Sequence, residues 1–352
     1  MTTTTRRTAR LPLCLACLAV WLWLPATGAA QVIKLGTIAP EGSPWNDGLL
    51  QLGQRWGELS NGRVKLRIYP GGVSGDEPDM IRKMRIGQLQ AAALTTVGLT
   101  SVVPDIEALS FPTVVRSDAE LDAVIREVGP VIEKQLAAKG FKVLNWTNAG
   151  WVRIFSKEPV VTVADLQRQK LFVWGQDTTY MELLRKTGMD PIPLAITDLL
   201  PSLETGLVNA FAAPPAAALA FQWFALAKNM TNFRWQPMLG TTVVSMKTWQ
   251  AIPEPLRGTL EQAAHEEGER LMEKSRALEK EAIQVMQQHG LVVHEVPPAA
   301  AAEWRSVVHD KGLPVFVGPR FSQKIFDAVQ AALADERAGN APPVAADGSA
   351  TP

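Results

Sequence analysis

The chain has 352 residues, with 35 lysines and arginines against 35 aspartates and glutamates, and 47% of it is hydrophobic. A charge balance near zero leaves no electrostatic footprint for nucleic acid or an anionic membrane surface. Both cysteines, Cys14 and Cys17, fall near the N-terminus, so the rest of the chain has no disulfide, thiol chemistry or sulfur-ligated metal open to it.

In chain order, Arg6, Arg7 and Arg10 precede an apolar run from Leu11 to Leu24, and small residues lead up to Ala30. Basic flank, short apolar core and small-residue exit are the parts of a secretory signal peptide. The run is roughly 14 residues, whereas a bilayer span takes about 20. The expectation is a signal peptide over residues 1–30, cleaved after Ala30, and a periplasmic mature protein; an uncleaved anchor is the alternative. Losing the leader's three arginines leaves 32 basic against 35 acidic residues.

Val32–Ile38 reads as a strand, and Ser43-Pro44 opens a helix, with Ser43 as N-cap and Pro44 in its first turn. Val64, Leu66 and Ile68 alternate with Lys65 and Arg67, which predicts a second strand ended by Pro70-Gly71-Gly72. A helix over Asp79–Gln88 and an apolar strand over Ala91–Val97 follow. Ser117 caps a helix whose Leu121, Val124, Ile125 and Val128 share one face. Further strands are predicted at Lys142–Trp146, Lys170–Trp174 and Leu207–Ala213, with helices at Thr178–Gly188 and Ile196–Gly206. Repeated strand–helix units predict α/β sheets with parallel strands.

From Glu254 to Gln288 apolar residues recur at helical spacing, and the only proline, Pro255, sits in the first turn. At about 1.5 Å per residue such a helix is roughly 50 Å long, too long for one domain of about 150 residues. It must run along two domains, or else break into a hairpin at Gly268. After Arg337 the sequence AGNAPPVAADGSATP is small and Pro-rich, which predicts disorder over 338–352.

Enzymatic parts are missing from the sequence. There is no Gly-x-Ser-x-Gly elbow and no phosphate loop ending in Lys-Ser or Lys-Thr. Gly71-Gly72-Val73-Ser74-Gly75 has glycines without the lysine and reads as a turn. His265, His289, His294 and His309 have no metal-ligand spacing, so neither metal nor cofactor is expected. Tryptophan is abundant instead, 11 residues against two tyrosines. Trp45, Trp146, Trp151, Trp174, Trp223 and Trp235 sit in turn-like or strand-end places, where ligands of α/β proteins bind; core packing accounts for part of the set.

Ser60-Asn61-Gly62-Arg63-Val64 running through LRIYPGG to Gly75-Asp76-Glu77 resembles the substrate-binding proteins of TRAP (tripartite ATP-independent periplasmic) transporters. So do IRKMRIGQLQAA from Ile81, Leu109-Ser110-Phe111-Pro112, AKGFKVLNW from Ala138, the Gly150–Phe155 stretch, Val163-Ala164-Asp165-Leu166 and LPSLETGLVNA from Leu200. The resemblance implies an α/β, two-lobed fold of the type II periplasmic-binding-protein kind, with mixed sheets flanked by helices and a long helix bridging both lobes. Lobe I would hold residues 31–150 plus about 239–270, and lobe II residues 151–238 plus about 271–337. It also implies no enzymatic activity, and partnership with the membrane subunits of an ion-gradient-driven permease. Some apolar-ligand receptors of this kind resemble partners of a periplasmic tetratricopeptide-repeat protein.

Such receptors usually grip a carboxylate with an arginine in a Lys-Ile-Arg-Val stretch. Here the stretch reads Lys170-Leu171-Phe172-Val173, so Phe172 stands at the arginine position, followed by Trp174. A second region, usually polar, reads Asn209-Ala210-Phe211-Ala212-Ala213-Pro214. Arg153 matches a second family arginine. A carboxylate facing Phe172 without a cation would lose several kcal/mol to desolvation. The expectation is an apolar cleft lined by Trp151, Phe172, Trp174, Phe211 and Pro214, with Trp45 at its edge and Arg153 holding any acidic head. The ligand would be hydrophobic or amphipathic; the alternative is a small carboxylate held by Arg153 alone.

Overall fold

The computed structural model describes residues 2–3, 30–175 and 178–339. The apolar stretch of the expected signal peptide and nearly all of the expected tail lie outside the described residues. Ala338 and Gly339, assigned to the tail by composition, continue the last helix.

Eleven strands form two sheets among the described residues. They are β1 (Gln31–Thr37), β2 (Val64–Tyr69), β3 (Ala91–Thr95), β4 (Phe141–Trp151), β5 (Arg153–Ser156), β6 (Lys170–Trp174), β7 (Asp190–Leu194), β8 (Ala210–Ala213), β9 (Asn229–Asn232), β10 (Pro237–Ser245) and β11 (Val292–Glu295). Lobe I carries the order β2-β1-β3-β10-β4, and lobe II the order β11-β9-β5-β8-β6-β7. Both sheets are mixed. In lobe I, β1 runs parallel to β2 and β3, while β10 is antiparallel to β3 and β4. In lobe II, β6 is parallel to β7 and β8, while β5 is antiparallel to β8 and β9. The antiparallel members have one cause: β5 and β10 each enter their sheet from the other lobe, without the crossover helix that makes neighbours parallel.

Local chemistry sets the boundaries. Ser43 Oγ accepts from Asn46 N at 3.3 Å and opens the helix Pro44–Leu59. The helix expected from Asp79 begins at Glu77, because Asp76 caps it and Pro78 occupies its first turn. The strand expected to reach Val97 stops at Thr95, whose hydroxyl accepts from Val97 N and starts the short helix Thr96–Thr100. Leu207 stays outside β8 and exposed, while Val208 is buried.

The long helix is continuous over Glu254–Gln288. Its first half buries Leu256, Leu260 and Ala264 with Ile33, Leu52 and Trp56 of lobe I. Its last turn carries Met286 into the lobe II cluster of Phe155, Phe211 and Met230. Gly268 is no break. A Cβ there would lie 2.7 Å from Asn145 Cβ and 2.7 Å from Trp146 O, so the glycine lets the helix lie directly on β4.

The C-terminal segment corrects the expected lobe boundary. Trp304, in the helix Pro298–Val307, stays with lobe II and donates to Val161 O at 2.9 Å. The chain then crosses back. Phe316 and Phe321 pack on Phe111 of lobe I, with ring centroids at 5.1 and 5.6 Å. Helix Gln323–Gly339 lies along helix Asp118–Ala138, its Ile325, Val329 and Leu333 sharing a core with Leu121, Val128 and Ile132. Residues from Phe316 onward thus belong to lobe I, not lobe II, because their apolar stripe completes the open face of that helix.

Candidate ligand cleft

A cavity of about 910 Å³ opens between the lobes. Its lobe II wall comes from β6, the end of β8 and the turn after it. Parallel pairing sets Phe172 beside Ile192 and Trp174 beside Leu194. Phe172 and Trp174 join the apolar cluster of Ile196, Ala213 and Trp223, and all five residues border the cavity. Phe221 stacks on Trp223 at 4.4 Å and extends this wall.

The lobe I wall is more polar. Thr37, Thr95, Thr147, Thr241 and Thr242 border it, together with Trp45, Asp76 and Glu77. Thr95 and Thr241 spend their hydroxyls inward, on Glu77 Oε2 at 2.9 Å and Asn145 O at 2.7 Å. Glu77 is fully buried and also accepts from Thr95 N at 2.8 Å and Gly98 N at 2.9 Å. Burial pushes its carboxyl up to about 7; the hydrogen bonds from Thr95 and Gly98 oppose this, and the neighbouring Asp76 charge adds to it. The cation bordering the cleft among the described residues is Arg320, whose guanidinium pairs with Glu107. Within those residues no group of three His, Cys, Asp or Glu side chains could hold a metal ion.

Of the seven residues expected at the site, Trp45, Phe172, Trp174 and Pro214 border the cavity. Trp151, Arg153 and Phe211 do not, and each has a physical reason. Phe211 is wholly buried beneath the wall, stacked on Phe155 at 5.2 Å and edge-on to Trp223 at 5.6 Å. Trp151 and Arg153 flank Val152, where the chain passes from β4 to β5. There Val152 N donates to Gln236 O at 2.8 Å and Val152 O accepts from Trp235 N at 3.0 Å, so the two crossing segments form a paired hinge. The Trp151 indole donates to Asp118 Oδ1 at 3.0 Å beneath the Arg234 guanidinium. Arg153 is 4% exposed and donates to Glu279 Oε1 of the long helix at 2.6 Å. Burial lowers its pKa to about 10, Glu279 opposing, so it stays charged and its charge is spent on Glu279.

Several cleft residues were not singled out in the sequence as site residues. Asp76 and Glu77 belong to the family-like Gly75-Asp76-Glu77 segment, which is the sequence signal that marks them. Trp223 and Trp235 were among the tryptophans without being assigned to the wall. The threonines of β3, β4 and β10 carry no sequence signal of a site.

The profile of the family described as bacterial extracellular solute-binding protein, family 7, matches residues 35–311. A solute-binding protein of Chromohalobacter salexigens is 25% identical over 284 residues, covering 79% of this chain and 83% of that one. The C4-dicarboxylate-binding periplasmic protein DctP of Rhodobacter capsulatus is 23% identical over 325 residues, covering 90% and 96%. A TRAP periplasmic solute-binding protein of Sulfurospirillum deleyianum, solved with bound succinate, superposes with a TM-score of 0.80 at 20% identity, covering 86% and 99%. The fold, the inter-lobe cleft and the matched profile agree: the chain belongs to bacterial extracellular solute-binding protein family 7, the periplasmic solute receptors that work with TRAP membrane permeases, and it is not an enzyme.

Proposed function

We propose that this receptor binds a hydrophobic or amphipathic organic solute in the aromatic inter-lobe cleft and hands it to the permease. The reading rests on the family resemblance, which sets Phe172 and Arg153 at the two positions usually held by arginines, together with where those two side chains lie. Phe172 occupies one and borders the cavity, and Arg153 occupies the other but lies at the hinge, paired with Glu279. A small carboxylate would therefore meet an apolar lobe II wall, and on the lobe I side Asp76 and an Arg320 guanidinium already paired with Glu107. An apolar solute would gain about 25 cal/mol per Å² of surface removed from water. The polarity difference between the walls favours an amphipathic solute, its apolar part against Phe172, Trp174 and Trp223 and its polar part against the threonines. Export through cleavage after Ala30 is part of the same proposal. A tetratricopeptide-repeat partner rests on family resemblance alone, and no feature of the cleft bears on it.

The test is a titration of the solvent-stripped, leaderless protein with N-phenyl-1-naphthylamine, a neutral apolar fluorophore, with succinate as competitor. Saturable binding that excess succinate does not displace supports the reading. No apolar binding together with tight succinate binding would overturn it.

A further inference from the structure

Asp76 is the first residue before the helix Glu77–Arg85 of lobe I, and its Oδ1 accepts from Glu77 N at 2.8 Å as the helix cap. The same carboxylate reaches across the cleft. Both of its oxygens lie 3.1 Å from the donating Nε1 of Trp174, and Oδ2 also accepts from the backbone N–H of Ile196 at 3.2 Å. Trp174 and Ile196 belong to lobe II and border the cavity. Beside this contact Gly72 passes so near lobe II that a Cβ on it would lie 3.1 Å from Thr197 Cγ2. The acceptor is firmly mounted, because buried Glu77 ties the helix start to Thr95 and Gly98.

We infer that Asp76 is a positioning residue, a latch that holds the lobes together and fixes the Trp174 indole as a wall of the cleft. Hydrogen bonds to an ionised acceptor are stronger than neutral ones. These form as the lobes meet and break as they part, so they weight the open–closed balance toward closure. A solute that needs the Trp174 wall then binds in proportion to the closed fraction. The assignment holds for whichever solute the cleft takes, and its test needs none.

The leaderless chain has no cysteine, so Ile86→Cys in lobe I and Leu207→Cys in lobe II, both exposed, give a clean spin-label pair. Inter-lobe distances are read by pulsed electron paramagnetic resonance on solvent-stripped protein. Trp174→Phe keeps the aromatic wall and removes the N–H, Asp76→Ala removes the carboxylate, and Asp76→Asn keeps a good helix cap and one acceptor. The ratio of closed to open protein should fall about tenfold in Asp76→Ala and in Trp174→Phe, the scale of one hydrogen bond to a charged group. The double variant should fall no further than Asp76→Ala, which already loses both the Trp174 and the Ile196 donors, with Asp76→Asn in between. Unchanged distances in Trp174→Phe and Asp76→Asn would overturn the latch, and so would fully additive effects of the two sites. Both of these variants retain the helix cap, so the outcome does not depend on Asp76→Ala folding.

Discussion

Arg153 Nη2 and Glu279 Oε1 lie 2.6 Å apart, and this largely buried pair bolts the hinge strand to the helix that spans both lobes. Removing one member leaves the other charge without its partner, which costs about 3–5 kcal/mol, whereas replacing both by apolar groups is near neutral. Arg153→Met should therefore be strongly destabilised in urea unfolding, and Arg153→Met with Glu279→Leu largely restored. The double variant should also keep its affinity for N-phenyl-1-naphthylamine. Loss of that affinity in a fully folded double variant would return Arg153 to the site.

Gly268→Ala sets two effects against each other. Alanine favours a helix interior by about 1 kcal/mol over glycine. Its methyl would stand 2.7 Å from the backbone oxygen of Trp146, which cannot swing aside as a side-chain tip could. Overpacking of this kind costs about 1–3 kcal/mol. The variant should be less stable than the parent on thermal unfolding; a rise in stability would show that β4 yields easily.

Glu77 makes stability depend on pH with a definite sign. Its folded pKa, about 7, lies above its ordinary value of 4.5, so the folded state holds the proton more tightly than the unfolded chain. The contribution is fully present below pH 4.5 and is lost as pH rises toward 7, by on the order of 3 kcal/mol. Glu77→Gln removes the titration, so the stability difference between parent and variant should change across that window. A constant difference from pH 4.5 to 7.5 would contradict it.

Phe172→Leu keeps an apolar residue in β6 but removes aromatic area from the cleft wall. Affinity for N-phenyl-1-naphthylamine should drop about fivefold, equivalent to roughly 1 kcal/mol. The melting temperature of the free protein separates this from general damage. Unchanged affinity would place the bound molecule away from β6.

The long helix was legible because its apolar spacing runs from Leu256 past Leu278 with no break, and a periodic stretch of that length leaves few alternatives. The cleft was half legible. Trp174 could be placed from its position at a strand end, and Phe172 and Pro214 from the family resemblance of the stretches that hold them. Trp151 and Arg153 sit one residue either side of Val152, next to the lobe boundary that the family resemblance puts at residue 150, but local sequence does not reveal that both side chains are held away from the cleft there. The pairing of Val152 with Trp235 and Gln236, over 80 residues away, fixes the backbone there. The return of Phe316–Gly339 to lobe I was equally hidden, since an amphipathic helix declares that it has a buried face but not which lobe supplies the cover.

The nature of the solute is read best on the protein as cells load it. The full chain is expressed with its own leader, purified from the periplasm without detergent, and extracted with organic solvent for mass spectrometry. A hydrophobic or amphipathic molecule should co-purify and be depleted in Phe172→Arg. An extract without such a molecule, from protein that binds a small dicarboxylate tightly, would contradict the proposed solute class.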